Sequence, residues 1–364
     1  MPTIKVLSWN IYKFGGHLTG NSTRLGVVLD LVNPAAGPAF DIFVVIEPQI
    51  AKGKVGDLAT GSGPKAMLKL RTALQKRTNG SGWEVVPPVV LAKSDKREAL
   101  AVFYDSTKLT LKGPVDDTKI TSASWRNART QGAGTGTLRG KCEFADINSK
   151  KVLFPAGTER RPYLVTFETV SGAKTFSILA AHSPSPEYPK GTATQKNQQA
   201  RLGTQRLGEI KEVTNAHRAH PVIVVGDFNC CWPGHPTDST YNCTTPGTDR
   251  DGEADDGLTG EGFTSHIKGG ASQPPAGTSL KSVGGSTTTA ASYTVHSYDY
   301  LLTAGTTASP ITVANARILG LGDFSTSFLT TLNKTKFKPI FSRVRSSSGK
   351  GVSDHLPVAA DITF

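Results

Sequence analysis

The chain has 364 residues, which is enough for one large α/β domain or for two average domains. Its 41 Lys and Arg residues outnumber its 29 Asp and Glu residues, and the formal net charge is +12. A surplus of this size favours polyanionic partners such as nucleic acid or phosphate-bearing head groups, although a cationic surface can also serve solubility alone. No apolar run approaches the length of about 18 residues that a membrane span needs, so we expect no stable membrane association.

The first residues, MPTIKVLSWN, run directly into a strand-like pattern and lack the charged and apolar segments of a secretion signal. This pattern predicts a cytoplasmic protein or one exported by a signal-free route. The four cysteines are too scattered for a disulfide scaffold and form no CxxC zinc pair. Cys230 or Cys231 could pair with Cys243, and free thiols are an equal alternative.

In chain order, short apolar runs bounded by Gly, Pro, Asp or Asn predict buried strands. These runs are TIKVLSW (3–9), DIFVVIE (41–47), ALAVFYD (99–105), YLVTFET (163–169), TFSILAAHS (175–183), PVIVVGDFN (221–229), YDYLLT (298–303) and LPVAADITF (356–364). Helical spacing appears over 66–78, where Met67, Leu70 and Leu74 share one side, and over 192–217. Strands and helices in mixed order predict an α/β sandwich, with sheet packed on sheet and helices outside.

Two polar, Gly-rich regions, near 121–158 and 231–292, interrupt the pattern of strands and helices. We interpret them as long surface loops inserted in one domain that spans residues 1–364, and not as linkers between domains.

Polar residues stand where the strand-like runs meet loops. They are Asn10, Glu47, His182, Asp227, Asn229, Asp299, Asp354 and His355. Each residue alone is typical of an ordinary strand end or turn. It is improbable, however, that all of them, in this chain order, are ordinary turn residues. Because strand ends of a sheet converge on one rim, we expect these side chains to form a site there.

The chemistry of this set is coherent. Glu47 is a hard oxygen ligand, and Asn10 and Asp354 could join it, which suits Mg²⁺ or Mn²⁺ better than zinc. His182 and His355 suit proton transfer and stabilisation of negative charge near neutral pH. A metal ion with two histidines and neighbouring Asp and Asn residues can hydrolyse a phosphate ester by attack of an activated water.

Six segments stand in order along the chain: LSWNIYKFGG, VVIEPQ, AHSPSP, VVGDFN, SYDYLL and VSDHLPV. They resemble the signature segments of the endonuclease/exonuclease/phosphatase superfamily, and their wording is most similar to DNase I and less closely to the cytolethal distending toxin B subunit. Two more segments, KREALAVFY and RRPYLVTF, resemble segments of DNase I. GDFN and SDHLPV are the most specific, and the resemblance spans residues 4–364. It implies a four-layer α/β sandwich and Mg²⁺-dependent phosphodiester cleavage, with Mn²⁺ or Ca²⁺ as alternative ions.

The resemblance also implies a role for each matching residue. Glu47 is the principal metal ligand, with Asn10 close by and Asp354 facing the metal or the attacking water. His182 pairs with Glu98, and Asp299 orients His355, which contacts the phosphate. The phosphate and the nucleophile are positioned by Asp227 and Asn229, and Arg160 holds a neighbouring phosphate.

Two positions depart from the DNase I pattern. Gln49 and Tyr12 stand where arginines are expected, so the chain lacks the charges with which DNase I binds the DNA minor groove, while the residues for hydrolysis are present.

Three functions are compatible with the sequence. A nuclease acting on DNA, with RNA as an alternative substrate, is favoured by the net charge and by the basic segment 334–351, which holds six Lys or Arg residues and two Phe. A phosphatase acting on phosphoinositides or another small phosphorylated substrate could use the same core. An inactive nucleic-acid-binding module is the third reading. We predict a monomeric, Mg²⁺-dependent DNA endonuclease.

Overall fold

Two six-stranded mixed sheets dominate the computed structural model. The structure describes residues 1–34, 39–53, 59–78, 82–91, 98–113, 162–183, 217–229, 258, 262–267, 279–280, 294–296, 299–320, 323–324, 352–353 and 355–364. The strands are β1 (Thr3–Phe14), β2 (Ile42–Gln49), β3 (Trp83–Val85), β4 (Glu98–Asp105), β5 (Leu109–Gly113), β6 (Tyr163–Thr169), β7 (Thr175–His182), β8 (Val222–Asp227), β9 (Thr264–Ser265), β10 (Ser279–Leu280), β11 (Thr294–His296), β12 (Asp299–Ala304), β13 (Thr312–Ile318) and β14 (Val358–Thr363). The helices are α1 (Gly16–Thr19), α2 (Ser22–Val32) and α3 (Ser62–Arg77).

The first sheet has the strand order β13-β14-β1-β2-β4-β3. Its centre is the parallel pair of β1 and β2, and all its other neighbouring strands are antiparallel. The crossover between β1 and β2 contains α1 and α2, as a parallel connection requires. Residues 42–46 of β2 form a continuous apolar run and are all buried, which is typical of a strand covered on both faces.

The second sheet repeats this plan with the order β5-β6-β7-β8-β12-β9. Its parallel pair is β7 and β8, and the remaining neighbours are antiparallel. The strands β1 and β2 of the first sheet contact β7 and β8 of the second. The two parallel pairs therefore lie face to face at the middle of the sandwich.

Aromatic rings join the two sheets in the core. The ring of Tyr104 on β4 lies 5.1 Å from that of Phe167 on β6, and the ring of Phe176 on β7 lies 4.7 Å from that of Phe364. Such ring pairs contribute about 1 kcal/mol each beyond the burial of their surface. They hold the sheets together at the end of β7 that is remote from His182.

Helix α3 packs against the first sheet through Met67, Leu70 and Leu74, all of which are buried. Near its start, Gly63 lies against the end of β2, where a Cβ atom would collide with the carbonyl oxygen of Gln49. The lack of a side chain at Gly63 therefore lets the helix approach the strand end that follows Glu47.

The fold class predicted from the sequence is confirmed, because two packed mixed sheets are accompanied by helices. Each predicted strand run contains an observed strand, and the predicted helix over 66–78 is α3. The expected helix over 192–216, the insertion at 121–158 and most of the insertion at 231–292 lie outside the described residues. The single-domain arrangement, the fourth layer and the cysteine pairings therefore stay predictions.

Candidate active site

Three strands of the first sheet bring polar side chains to one edge of the sandwich. Asn10 lies in β1 opposite Ile46 of β2, and Glu47 is the next residue of β2 after Ile46. Glu98, the first residue of β4, lies opposite Gln49 of β2. The strand register thus places Asn10, Glu47 and Glu98 close together although 37 and 51 positions separate them in the chain.

The second sheet brings three more polar side chains to the same edge. Asp227 ends β8, and it is opposite both His182, which ends β7, and Asp299, which begins β12. The three residues form one row across the sheet. Asp227 and Asp299 are buried, with 1% of their surface exposed.

The backbone is strained where these strands end. Glu47 has a φ of +67° and Asn229 has a φ of +51°, a region that residues other than glycine seldom adopt. Asn tolerates this conformation better than Glu does. Asn229 is fixed by two hydrogen bonds, because its backbone N–H donates to Asp227 Oδ1 at 2.9 Å and its Nδ2 donates to the carbonyl oxygen of Ser183 at 2.7 Å. Strain of this kind is concentrated at functional sites.

His182 lies between carboxylates from both sheets. Its Nδ1 is 3.1 Å from Glu98 Oε2, and its Nε2 is 3.6 Å from both Glu47 Oε1 and Asp227 Oδ2. The side chain is only 8% exposed. Glu98 therefore lies beside one ring nitrogen of His182, and the other nitrogen faces Glu47 and Asp227.

His355 has a matching arrangement. Its Nδ1 is 2.8 Å from Asp299 Oδ2, and its Nε2 is 3.7 Å from Asp227 Oδ2. Asp299 thus fixes the ring orientation, and the second ring nitrogen faces the carboxylate that also lies beside His182.

Asp227 is the carboxylate that both histidines share. Burial raises the pKa of Asp227, and the neighbouring Asp299 acts in the same direction, against the opposing effects of His355, His182 and a hydrogen bond from Asn10. Asn10 Nδ2 donates that bond to Asp227 Oδ2 at 2.8 Å. The position of Asp227 makes it a group that can exchange or stabilise a proton at either imidazole.

The oxygen atoms of Asn10 and Glu47 fit a divalent cation. Asn10 Nδ2 donates to Glu47 Oε1 at 3.3 Å, so the two side chains are adjacent. Asn10 Oδ1 is buried, and within the described part of the chain it accepts no hydrogen bond. An amide oxygen without a donor beside a carboxylate is the donor set that Mg²⁺ or Mn²⁺ prefers.

Two further groups of side chains have ligand atoms within 4.8 Å of one another. One is Glu47, Glu98 and His182, and the other is Asp227, Asp299 and His355. The oxygen-rich pair of Asn10 and Glu47 suits a hard cation better than either histidine-containing group does.

The structure brings together most of the residues that the sequence predicts for the site. These are Asn10, Glu47, Glu98, His182, Asp227, Asn229, Asp299 and His355. Asp354 and Arg160 lie outside the described residues, so the ligand role of Asp354 and the phosphate contact of Arg160 stay predictions.

Sequence reasoning missed three participants. Ser353 and Trp9 contact the backbone of His355, and the backbone N–H of Lys13 donates to Glu47 Oε2 at 3.3 Å. Trp9 and Ser353 stand inside the motifs LSWN and VSDHLPV, which was the available signal. Their residue types, a buried indole and a small hydroxyl, are typical of an ordinary core.

No family model and no curated protein matches the sequence. Solved structures match it over nearly the full length. A functionally unknown conserved protein from Enterococcus faecalis V583 is 14% identical with a TM-score of 0.50, and the match covers 99% of each chain. An endonuclease/exonuclease/phosphatase family protein from Bacteroides thetaiotaomicron is 15% identical with a TM-score of 0.49, and the match covers 100% of this chain and 98% of that one.

A third match is the mannosyl-6-phosphatase Bt3783 from Bacteroides thetaiotaomicron VPI-5482, which is 15% identical with a TM-score of 0.46 over 99% of this chain and 100% of that one. The chain shares its overall fold with the Enterococcus faecalis protein. At this level of identity the match shows a likeness of fold alone, and membership of the superfamily that the sequence resembles stays a prediction. No helix in the described part of the chain is long and apolar enough to cross a membrane.

Proposed function

We propose that the chain is a divalent-metal-dependent phosphoesterase and, within that class, an endonuclease that hydrolyses DNA. One observation carries the proposal. The Nε2 atoms of two histidines, each with a carboxylate 2.8 or 3.1 Å from its Nδ1, lie 3.6 and 3.7 Å from the buried Asp227, beside the side chains of Asn10 and Glu47. This arrangement has the parts that phosphoester hydrolysis needs.

The chain's own residues supply proton transfer and orientation. Asp299 accepts the Nδ1 proton of His355, so His355 Nε2 is the atom that meets a phosphoryl oxygen, and a proton on it stabilises developing negative charge. Glu98 Oε2 lies 3.1 Å from His182 Nδ1, and His182 Nε2 faces the same space. Asp227 lies within reach of both imidazoles and is the proposed acceptor for a proton of the attacking water.

Glu47 and Asn10 Oδ1 would hold the cation, with Asp354 as the predicted third ligand. When bound there, a divalent cation neutralises negative charge on the phosphate and lowers the pKa of bound water. Asn229, held by Asp227 and Ser183, is the proposed amide donor to the scissile phosphate.

Charge favours DNA as the substrate. The net charge of +12 and the six cations within 334–351 attract a polyanionic backbone more strongly than they attract a single phosphate group. The same core chemistry would serve a phosphatase acting on phosphoinositides or another small phosphorylated molecule. Gln49 and Tyr12 stand where DNase I has arginines that bind DNA. In this proposal other parts of the chain therefore hold the DNA.

A substrate comparison tests this proposal. Purified protein is incubated with supercoiled plasmid, with single-stranded RNA and with a short-chain phosphoinositide, each in the presence of Mg²⁺ or of EDTA. We expect plasmid nicking that depends on Mg²⁺ and no release of phosphate from the lipid head group. Phosphate release without nicking would move the function to the phosphatase class. Salt-dependent DNA binding with no cleavage of any substrate would indicate an inactive binding module.

A further inference from the structure

We propose that Trp9 and Ser353 are positioning residues that fix the backbone of His355 to the strand carrying Asn10. Together they keep the imidazole of His355, the proposed phosphate contact, and the amide of Asn10, the proposed metal ligand, in a fixed position relative to each other. The inference rests on the proposed function, and it concerns two side chains that touch neither substrate nor metal in that proposal.

Ser353 connects the backbones of two site residues. Its side chain is fully buried. The hydroxyl donates to the carbonyl oxygen of Asn10 and accepts from the backbone N–H of His355 at 3.0 Å. A hydroxyl has one proton to donate and lone pairs to accept, so a single atom satisfies both backbone groups. The end of β1 and the segment that carries His355 are thereby joined through Oγ.

Trp9 holds the other side of the same residue. Its indole Nε1–H donates to the carbonyl oxygen of His355 at 2.8 Å, and its ring is fully buried in the core. An indole nitrogen can only donate, and a buried donor needs an acceptor, so this bond fixes the direction of the His355 carbonyl group. Trp9 directly precedes Asn10 in β1, and both backbone contacts of His355 therefore lead to adjacent residues of one strand.

His355 is consequently held from both sheets. Its N–H and C=O are fixed to β1 of the first sheet, and its Nδ1 is fixed by Asp299 on β12 of the second sheet. If the backbone contacts from Trp9 and Ser353 are lost, the bond between Asp299 and Nδ1 is the one of these three contacts that remains, and the imidazole ring can tilt about it. Nε2 would then move relative to Asp227. A displacement of about 1 Å in a reacting group can lower a rate by roughly 100-fold.

The test uses two variants and two matched controls. Trp9→Phe keeps an aromatic ring but removes Nε1–H, and Trp83→Phe makes the same change at another fully buried tryptophan of the same sheet. Ser353→Ala removes the hydroxyl, and Ser177→Ala removes another fully buried hydroxyl, whose bonds to Thr166 and His220 lie away from His355. Thermal unfolding of all four variants shows whether each folds, and each variant tests the idea independently.

We expect Trp9→Phe and Ser353→Ala to lower kcat for plasmid nicking by about 10- to 100-fold with KM nearly unchanged. Trp83→Phe and Ser177→Ala should keep kcat within about threefold of the wild type, even where they unfold at lower temperature. Losses of kcat in the controls as large as those in the variants would overturn the proposal, because they would show a general sensitivity to core damage.

A second readout does not depend on catalysis. The imidazole resonances of His355, assigned with His355→Gln, should shift in Trp9→Phe and Ser353→Ala and stay in place in the two controls. Unchanged resonances in both variants would overturn the positioning role, whatever happens to kcat. A wild-type protein that cleaves no phosphoester would refute the proposed function, and the resonances would still decide whether Trp9 and Ser353 position His355.

Discussion

Asp227 occupies the centre of the candidate site, with an imidazole on each side. Its Oδ2 accepts a hydrogen bond from Asn10 and lies 3.6 and 3.7 Å from the Nε2 atoms of His182 and His355. Burying a carboxylate is costly unless partners stabilise it, and burial raises the pKa of this one. A catalytic role therefore explains the presence of Asp227 better than a contribution to the stability of the fold does.

Asp227→Asn should lower kcat by roughly 100- to 10,000-fold, because an amide cannot accept a proton or stabilise an imidazolium. The fold should survive, since the amide has nearly the same shape and removes a carboxylate whose charged form burial disfavours. Plasmid nicking and thermal unfolding measure the two effects. Asp41→Asn is the control, since Asp41 is equally buried but contacts Lys108. Wild-type kcat in Asp227→Asn would contradict the central place of this carboxylate.

Glu47 is the proposed principal ligand of the cation. Glu47→Gln keeps the size of the side chain but removes its charge, so we expect the Mg²⁺ concentration for half-maximal nicking to rise by about 10- to 100-fold. High Mg²⁺ should partly restore the rate. Glu84→Gln, at a carboxylate paired with Arg71, is the control. A Mg²⁺ titration that is identical for Glu47→Gln and the wild type would contradict the ligand assignment.

The sequence predicted the charged members of the site better than their supports. Carboxylates and histidines at strand ends are recognisable because such groups need a reason to stand beside apolar runs. Trp9 and Ser353 stand inside the motifs LSWN and VSDHLPV, but their roles are visible only in hydrogen bonds between residues 346 and 343 positions apart in the chain. No local pattern contains information about bonds of that range.

At the scale of elements, the parallel pair of β7 and β8 determines where His182 and Asp227 meet. Gly226 has a φ of +152°, and a Cβ atom there would collide with the carbonyl oxygen of Ala181. Glycine at this position allows the strands to approach one residue before the site.

Gly226→Ala should lower the free energy of unfolding by about 3 kcal/mol or more, because the strands must separate or the backbone must shift. Gly320→Ala is the matched control, since a Cβ atom there meets nothing within 4 Å, and it should change the free energy by less than about 1 kcal/mol. Urea unfolding measures both. Equal midpoints for the two variants would show that the close approach at Gly226 is not needed.

The opposite end of the same strand pair contains a histidine that links stability to pH. His220 Nε2 lies 2.7 Å from Ser177 Oγ, and burial lowers the pKa of His220. The unfolded chain therefore binds a proton more readily than the folded chain does. Stability is complete above the ordinary His pKa of about 6.5 and decreases as the pH falls below it.

His220→Gln should reduce this acid sensitivity. The difference in thermal midpoint between pH 7.5 and pH 5.5 should be smaller in the variant than in the wild type, because glutamine binds no proton. His17, whose pKa is lowered by burial and by Arg24 and Lys13, retains part of the effect. An equal loss of midpoint on acidification in both proteins would contradict a role for His220.

The elements that escaped prediction have a common physical cause. Helix α2 has apolar residues at Leu25, Val27, Val28 and Leu29, a run without clear helical spacing, and its position in the crossover between β1 and β2 decides its structure. Strand β13 is largely exposed, so it has little apolar alternation to reveal it, and its pairing with β14 defines it. Both depend on tertiary contacts that a local pattern does not contain.

At the scale of the whole molecule, the sandwich has its two parallel pairs face to face, and each pair delivers site residues to the same edge. The sequence predicted packed sheets and a common edge for the polar residues, but it did not predict which strands pair in parallel. The long polar regions near 121–158 and 231–292 have no periodic pattern, so the sequence predicts only that they are loops.

The most direct test of the central claim is the rate of Mg²⁺-dependent plasmid nicking by His182→Ala and His355→Ala. His266→Ala is the control, because His266 bonds to Thr303 within the second sheet and is not part of the proposed site. We predict that each site variant folds normally and loses roughly 100- to 10,000-fold in rate, while the control and the wild type nick equally and stop in EDTA. Nicking at the wild-type rate by both site variants would contradict the assignment of this site.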